Sequence, residues 1–152
     1  MQQLSIFDLI YNKYKVTKPI RLIELFAGYG SQALSLKYLG VNFEHWKISE
    51  WAINSIQAYK DIHFKSDTTD YSKNMTQEEL ETKLLDYGIS SDYSNTMNIN
   101  QIKRLGEEKL RTIYNNIIAT HNLVNVSRVK GGDLNIEETN KYDYILTYSF
   151  PC

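Results

Sequence analysis

Four short clusters carry the residue types that could bind or transform a small molecule: Phe26-Ala27-Gly28-Tyr29-Gly30, Glu50-Trp51, Asp133-Leu134 and Phe150-Pro151-Cys152. Gly28 and Gly30 let the backbone turn sharply and approach a ligand with no Cβ in the way. A carboxylate that closes a strand, as Glu50 would, can accept hydrogen bonds from both hydroxyls of a ribose. Trp51 beside it offers a flat apolar face for an adenine ring. The Asp133 carboxylate can accept from an exocyclic amine, although Gly-Gly-Asp is equally an ordinary turn. Cys152 is the only cysteine of the chain, and a lone cysteine is more often an inert buried thiol than a nucleophile. The turn at 27–30 lacks the Lys-Ser/Thr pair of a P-loop and does not complete the G-x-G-x-x-G dinucleotide fingerprint. Alone, it fits a tight turn in any α/β protein just as well.

The elements that must position these clusters follow from periodicity. Ile20 to Phe26 is a short apolar run, the pattern of a strand buried on both faces. Ser31 is a fair N-cap for a helix over Gln32 to Leu39, stopped by Gly40. Phe43 to Ser49 reads as a second strand, followed by a helix to about Lys60 with Ala52, Ile56 and Tyr59 as its buried stripe. Thr76 and Glu79 form a capping box ahead of Leu80, Leu84 and Tyr87, and Gly88 ends that helix. A longer helix is predicted from about Gln101 to His121, with Ile102, Leu105, Ile113, Ile117 and Ile118 on one face and Lys103, Arg104, Lys109 and Arg111 on the other. A charged face of this kind is usually just solvated. A third strand is expected near Leu123 to Val129 and a fourth at Tyr144 to Tyr148. Ser5 to Tyr14 has the spacing of a short amphipathic helix. Alternating strands and helices predict a parallel, right-handed α/β sheet, in which all four clusters fall at carboxyl ends of strands, the rim where ligands bind. The stretch 61–123 is too long for a simple crossover and reads as a helical insertion within one domain, 1–152.

With 152 residues the chain can hold a real core. A formal net charge of −1 gives no overall basic signature. One cysteine excludes an internal disulfide framework, and no apolar run approaches the roughly 20 residues of a membrane helix, so no membrane association and a cytoplasmic location are expected. His45, His63 and His121 have no metal-ligand spacing with Cys152, and no metal site is expected. The chain stops at the exit of a core strand, which suggests a fragment of a longer protein.

Glu24 to Ser31 (ELFAGYGS), Ser49 to Ala52 (SEWA), Gly132 to Leu134 (GDL) and the terminal SFPC resemble, in order and in place, the first four motifs of the DNA cytosine-5 methyltransferases. The Phe-Ala-Gly-x-Gly turn and the Pro-Cys pair are the specific ones. The resemblance implies a Rossmann-like S-adenosylmethionine-dependent methyltransferase fold and S-adenosyl-L-methionine as cofactor. Phe26 and Trp51 would then enclose the adenine, Glu50 would hold the ribose, Asp133 the adenine amine and Leu134 the ring edge. Ala27, Gly28, Tyr29 and Gly30 would face the polar tail of the cofactor. Cys152 would be the nucleophile that adds to the sixth carbon of a flipped-out cytosine in double-stranded DNA, and Pro151 would direct its loop.

Two departures qualify the resemblance. Ser31 stands where the family has a second glycine, and the 61–123 stretch is longer than usual. The family's catalytic glutamate, its later arginine motif, its target-recognition region and the helix that completes the cofactor pocket all lie beyond Cys152. The resemblance therefore implies the cofactor-binding front part of such an enzyme, from a bacterial or phage modification system, inactive without a complementing C-terminal part. The alternative is a non-catalytic cofactor- or partner-binding module of a split or degenerate methyltransferase.

Overall fold

The computed structural model describes residues 16–149. The helix expected at 5–14, together with Phe150, Pro151 and Cys152, lies outside the described residues. Strand β1 (Ile20–Leu25) is the centre of a three-stranded parallel sheet of order β2-β1-β3, flanked by β2 (Phe43–Ser49) and β3 (Asp143–Tyr148). Ile20, Leu22 and Ile23 are almost wholly buried, as a central strand covered on both faces requires. The helices are α1 (Ser31–Tyr38), α2 (Ile53–His63), α3 (Gln77–Tyr87), α4 (Ile99–Lys103) and α5 (Glu107–Ala119). This is the Rossmann-like α/β arrangement expected from the sequence.

Between α2 and Leu123 the chain builds its largest apolar cluster from helices. Leu80 and Leu84 of α3, Ile102 of α4, and Leu110, Ile113 and Ile117 of α5 meet Ile53 and Ile56 of α2. Helix α3 starts as the sequence predicts: the Thr76 side chain accepts from the Glu79 amide, the Glu79 carboxylate accepts from the Thr76 amide, and Gly88 ends the helix at φ 70°.

Three expectations about the helices are corrected. Ser31 is not the cap of α1; Gly30 occupies that position without a side chain, and Glu24 reaches across from β1 to accept from the Ala33 amide at 3.3 Å. The long helix at 101–121 is two helices. Gly106 sits at φ 76°, ψ 157°, which breaks the helix, while Asn98 and Gln101 form a separate capping box for α4. Arg111 is not part of a free basic face, because its guanidinium binds Glu107 and the carbonyls of Ser72 and Met75.

The third expected strand does not form at Leu123 to Val129. Here backbone pairing with β2 is limited to a parallel bridge between Ile48 and Asn122, after which the chain takes a left-handed turn at Val124 (φ 60°) into a short 3-10 turn, Val126–Arg128. The Asn122 side chain replaces the ladder. Its Oδ1 accepts from the amides of Glu50 (3.0 Å) and Val124 (2.8 Å), and its Nδ2 donates to the Glu50 carbonyl (2.9 Å). With an asparagine amide satisfying the end of β2, the backbone beyond it is released to turn.

Candidate functional site

The carboxyl ends of β1 and β2 are tied together by the turn itself. The Ala27 amide donates to the Ser49 carbonyl at 3.1 Å, and the Gly30 amide closes on the Ala27 carbonyl at 2.8 Å. Phe26, Gly28 and Gly30 all have positive φ (56°, 53° and 76°). For Phe26 that backbone region is uncommon, and strain of this kind collects at functional sites. A Cβ at Gly30 would lie 2.2 Å from His63 Nε2 and 2.7 Å from the Tyr59 ring, so only glycine fits there. Gly28 faces open space instead, which leaves its backbone approachable from outside.

Glu50 is the pivot of the site. It is only 8 % exposed, with Oε2 accepting from the Gly28 amide (2.9 Å) and Oε1 from the Ala52 amide (2.8 Å). Asn122 grips its backbone on both sides. A carboxylate offers about four acceptor positions, so two amides leave room for further donors from a ligand.

Beneath the turn lies a chain of polar side chains. The Tyr59 hydroxyl donates to Glu24 at 2.6 Å, so the 2.8 Å contact between Tyr59 and His45 Nδ1 has the imidazole donating. His63 Nε2 donates to the Tyr29 carbonyl at 2.9 Å. Burial raises the Glu24 carboxyl above its ordinary value, raises the Tyr59 phenol, and pushes His45 down to about 4. The neutral imidazole and the buried phenol hold the floor of the turn from below.

Above the strand ends opens a cavity of about 610 Å³, within the roughly 300–1,000 Å³ typical of small-molecule sites. Phe26 and Gly28 line it from the turn, Ser49, Glu50 and Trp51 from the end of β2, and Ser149 from the exit of β3. Four of its residues, Val124 to Ser127, follow the Asn122 bridge, and Ser55, Tyr93 and Thr96 complete it.

Of the residues singled out in the sequence, Phe26, Gly28, Glu50 and Trp51 come together around this cavity. Ala27 is buried beneath the turn and Tyr29 points largely into solvent. Gly30 serves as the cap of α1. Asp133 and Leu134 are not brought to the cavity. They form a second 3-10 turn, Gly131–Leu134, in which the exposed Asp133 carboxylate accepts from the Lys130 amide. Trp46, in the middle of β2, donates to the Leu134 carbonyl at 2.9 Å, which anchors that turn beside the strand rather than at its end. Pro151 and Cys152 lie outside the described residues; Ser149, three positions before Cys152, lines the cavity.

Sequence reasoning missed Asn125. It is 8 % exposed, lines the cavity, and receives the Ser127 amide and hydroxyl on Oδ1. Its signal was the Asn-x-Ser pattern of a short side-chain-capped turn, masked by the strand-like run around it.

No protein-family model matches the chain. Among curated proteins, it is 31 % identical over 137 residues to the orphan methyltransferase M.SssI of Spiroplasma monobiae, covering 90 % of the chain. It is also 31 % identical over 138 residues to the type II methyltransferase M2.ScrFI of Lactococcus lactis subsp. cremoris, covering 88 % of the chain. The chain belongs to the DNA methyltransferase family. It spans about a third of those relatives' length (35 % of each). This methyltransferase relative therefore brings the glycine turn, the Glu50 carboxylate and the apolar cavity to one rim. Among the described residues there is no cluster of His, Cys, Asp and Glu able to hold a metal ion, and no helix long and apolar enough to cross a membrane.

Proposed function

We propose that this chain is the cofactor-holding portion of a DNA cytosine-5 methyltransferase and binds S-adenosyl-L-methionine in the cavity at the ends of β1 and β2. The observation that carries the reading is Glu50, a buried residue that lines an aromatic-walled cavity and is held rigid by Gly28, Ala52 and Asn122. Its spare acceptor positions suit the two hydroxyls of a ribose, while Phe26 and Trp51 suit the purine. The open space beside Gly28 leaves room for the amino-acid tail to pass close to the turn.

The bound cofactor supplies an electrophilic methyl group on a sulfonium. What the chain contributes is position: the end of β3 carries Ser149 at the cavity wall and continues to Cys152. The Cys152 thiolate adds to the sixth carbon of a cytosine extruded from double-stranded DNA, which makes its fifth carbon nucleophilic enough to take the methyl. A base, a role water can fill, then takes the proton from that carbon as the thiolate is expelled. Completing the reaction requires a complementing C-terminal part that supplies the remaining catalytic groups and the DNA-reading surface.

Ligand class is the test. Trp51 lines the cavity, so its fluorescence reports occupancy, and a Trp51→Phe variant separates its signal from that of Trp46. S-adenosylhomocysteine quenches the Trp51 signal while NAD and ATP do not. Equal response to NAD, or a response to none of the three by a folded chain, would overturn the reading.

A further inference from the structure

One wall of the cavity comes from a segment that no motif marks. After α3 the chain lays Ile89 and Ser90 against the start of α2 as a parallel bridge: the Ser90 amide donates to the Trp51 carbonyl at 2.8 Å, and the Ile53 amide donates to the Ser90 carbonyl at 2.9 Å. The Met97 amide then closes on the Ile89 carbonyl at 2.8 Å. Both Ile89 and Met97 are buried in the main apolar cluster, so the loop 90–96 is anchored at each end. Inside it, Asp92 Oδ1 accepts from the Ser94 and Asn95 amides, both at 2.9 Å. The loop is therefore built to hold one shape.

That shape presents Tyr93. Its backbone lies in the left-handed region at φ 63°, an uncommon conformation for an aromatic residue. Its hydroxyl lies 3.2 Å from Ser55 Oγ, which holds the ring over the first turn of α2, and both Tyr93 and Ser55 line the cavity. Yet the residue is 53 % exposed. An aromatic ring held in a strained, doubly anchored loop and left uncovered is poorly explained by packing, since it buries little against the core.

We propose that Tyr93 is a positioning residue for the purine end of the cofactor, so that the segment between α2 and Leu123 contributes directly to cofactor recognition. The proposal rests on the cofactor reading given above. Tyr93 belongs to the same end of the cavity as Trp51, because its loop pairs with the Trp51–Ile53 backbone and its hydroxyl meets Ser55. A purine entering beside Trp51 is covered by the Tyr93 ring from the loop side, and Thr96 lines the same wall.

The test is calorimetric titration of S-adenosylhomocysteine and of 5′-methylthioadenosine, which lacks the amino-acid tail, into the 152-residue chain and three variants. Tyr93→Ala weakens both ligands by the same factor, roughly tenfold for a lost ring–base stack. Tyr93→Phe stays near the parent affinity, because the ring remains. Glu50→Gln weakens both ligands while keeping the Tyr93 ring, and so reports on the cofactor reading. Loss of affinity in Glu50→Gln with none in Tyr93→Ala would leave the cofactor reading standing and overturn this proposal. A Tyr93→Ala loss confined to S-adenosylhomocysteine would place the ring at the tail and also overturn it. No binding of either ligand by the folded parent chain would overturn both. Because the ring is more than half exposed, Tyr93→Ala keeps the parent's thermal midpoint, which separates a binding defect from a folding one.

Discussion

Asn122→Ala asks the structure for a specific number. The side chain is 8 % exposed and completes three backbone groups: the Glu50 amide, the Glu50 carbonyl and the Val124 amide. Alanine has no group to replace it, and each buried backbone group left without a partner costs about 1–3 kcal/mol. Water can enter from the neighbouring cavity and recover part of that, so the low end applies, about 1 kcal/mol for each group and ~3 kcal/mol in all. For a chain of this size that lowers the thermal midpoint by roughly 6–12 °C. Urea unfolding followed by tryptophan fluorescence and by circular dichroism gives the free energy, provided the two transitions coincide. The exposed Asn54→Ala, on the helix α2, is the control and changes stability by less than about 0.5 kcal/mol. A loss below ~1 kcal/mol in Asn122→Ala would refute the claim that this side chain ends β2 in place of a strand.

Other expected outcomes follow from the same geometry. Gly30→Ala drives a Cβ into His63 and Tyr59 and destabilises by more than about 2 kcal/mol in urea unfolding, whereas Gly28→Ala, with open space but φ 53°, costs about 1 kcal/mol and is felt chiefly as weaker S-adenosylhomocysteine binding. The Arg21 guanidinium lies 3.7 Å from the centres of both the Trp46 and Tyr142 rings and donates to Glu44 and Tyr144; Arg21→Lys loses the planar stack and costs about 1–2 kcal/mol by the same assay. For pH, burial holds the folded His45 near 4 against an ordinary value of 6.5. The unfolded chain then binds a proton that the folded chain does not, and the stability His45 contributes is complete above pH 6.5 and lost as the pH falls toward 4. Glu24, raised by burial, slopes the opposite way above its ordinary value, so the difference between parent and His45→Gln isolates the histidine. That difference shrinks from pH 6.5 to 4; a constant difference would contradict the assignment.

The sheet was legible because its signals are local. Ile20 to Phe26 and Phe43 to Ser49 are continuous apolar or alternating runs, and the Thr76–Glu79 capping box needs only four residues to be recognised. The glycine turn and Glu50 were legible for the same reason, since residue type and a strand end define them. What failed to read was long-range. Leu123 to Val129 has strand composition, but Asn122 satisfies β2 with a side chain from 72 positions away in sequence, and no local pattern announces that. Asp133 sits in a turn that the Trp46 indole draws to mid-strand, which a motif three letters long cannot encode. Gly106 interrupts what periodicity alone reads as one helix, because α4 and α5 keep their apolar faces in nearly the same phase across the break. Tyr93 carried no signal at all, since its place depends on the Ile89 and Met97 anchors and on a bridge to residues 51–53.

The central claim is that Glu50 holds a ribose within this cavity, and titration of S-adenosylhomocysteine into the parent chain and Glu50→Gln measures it most directly. Glutamine keeps one acceptor and the volume but loses the charge and one accepting oxygen. Saturable 1:1 binding by the parent is expected, with a loss of about 1.5–3 kcal/mol in the variant, roughly tenfold or more in affinity, both proteins being folded under the conditions of the titration. Equal affinities in the two proteins would contradict it.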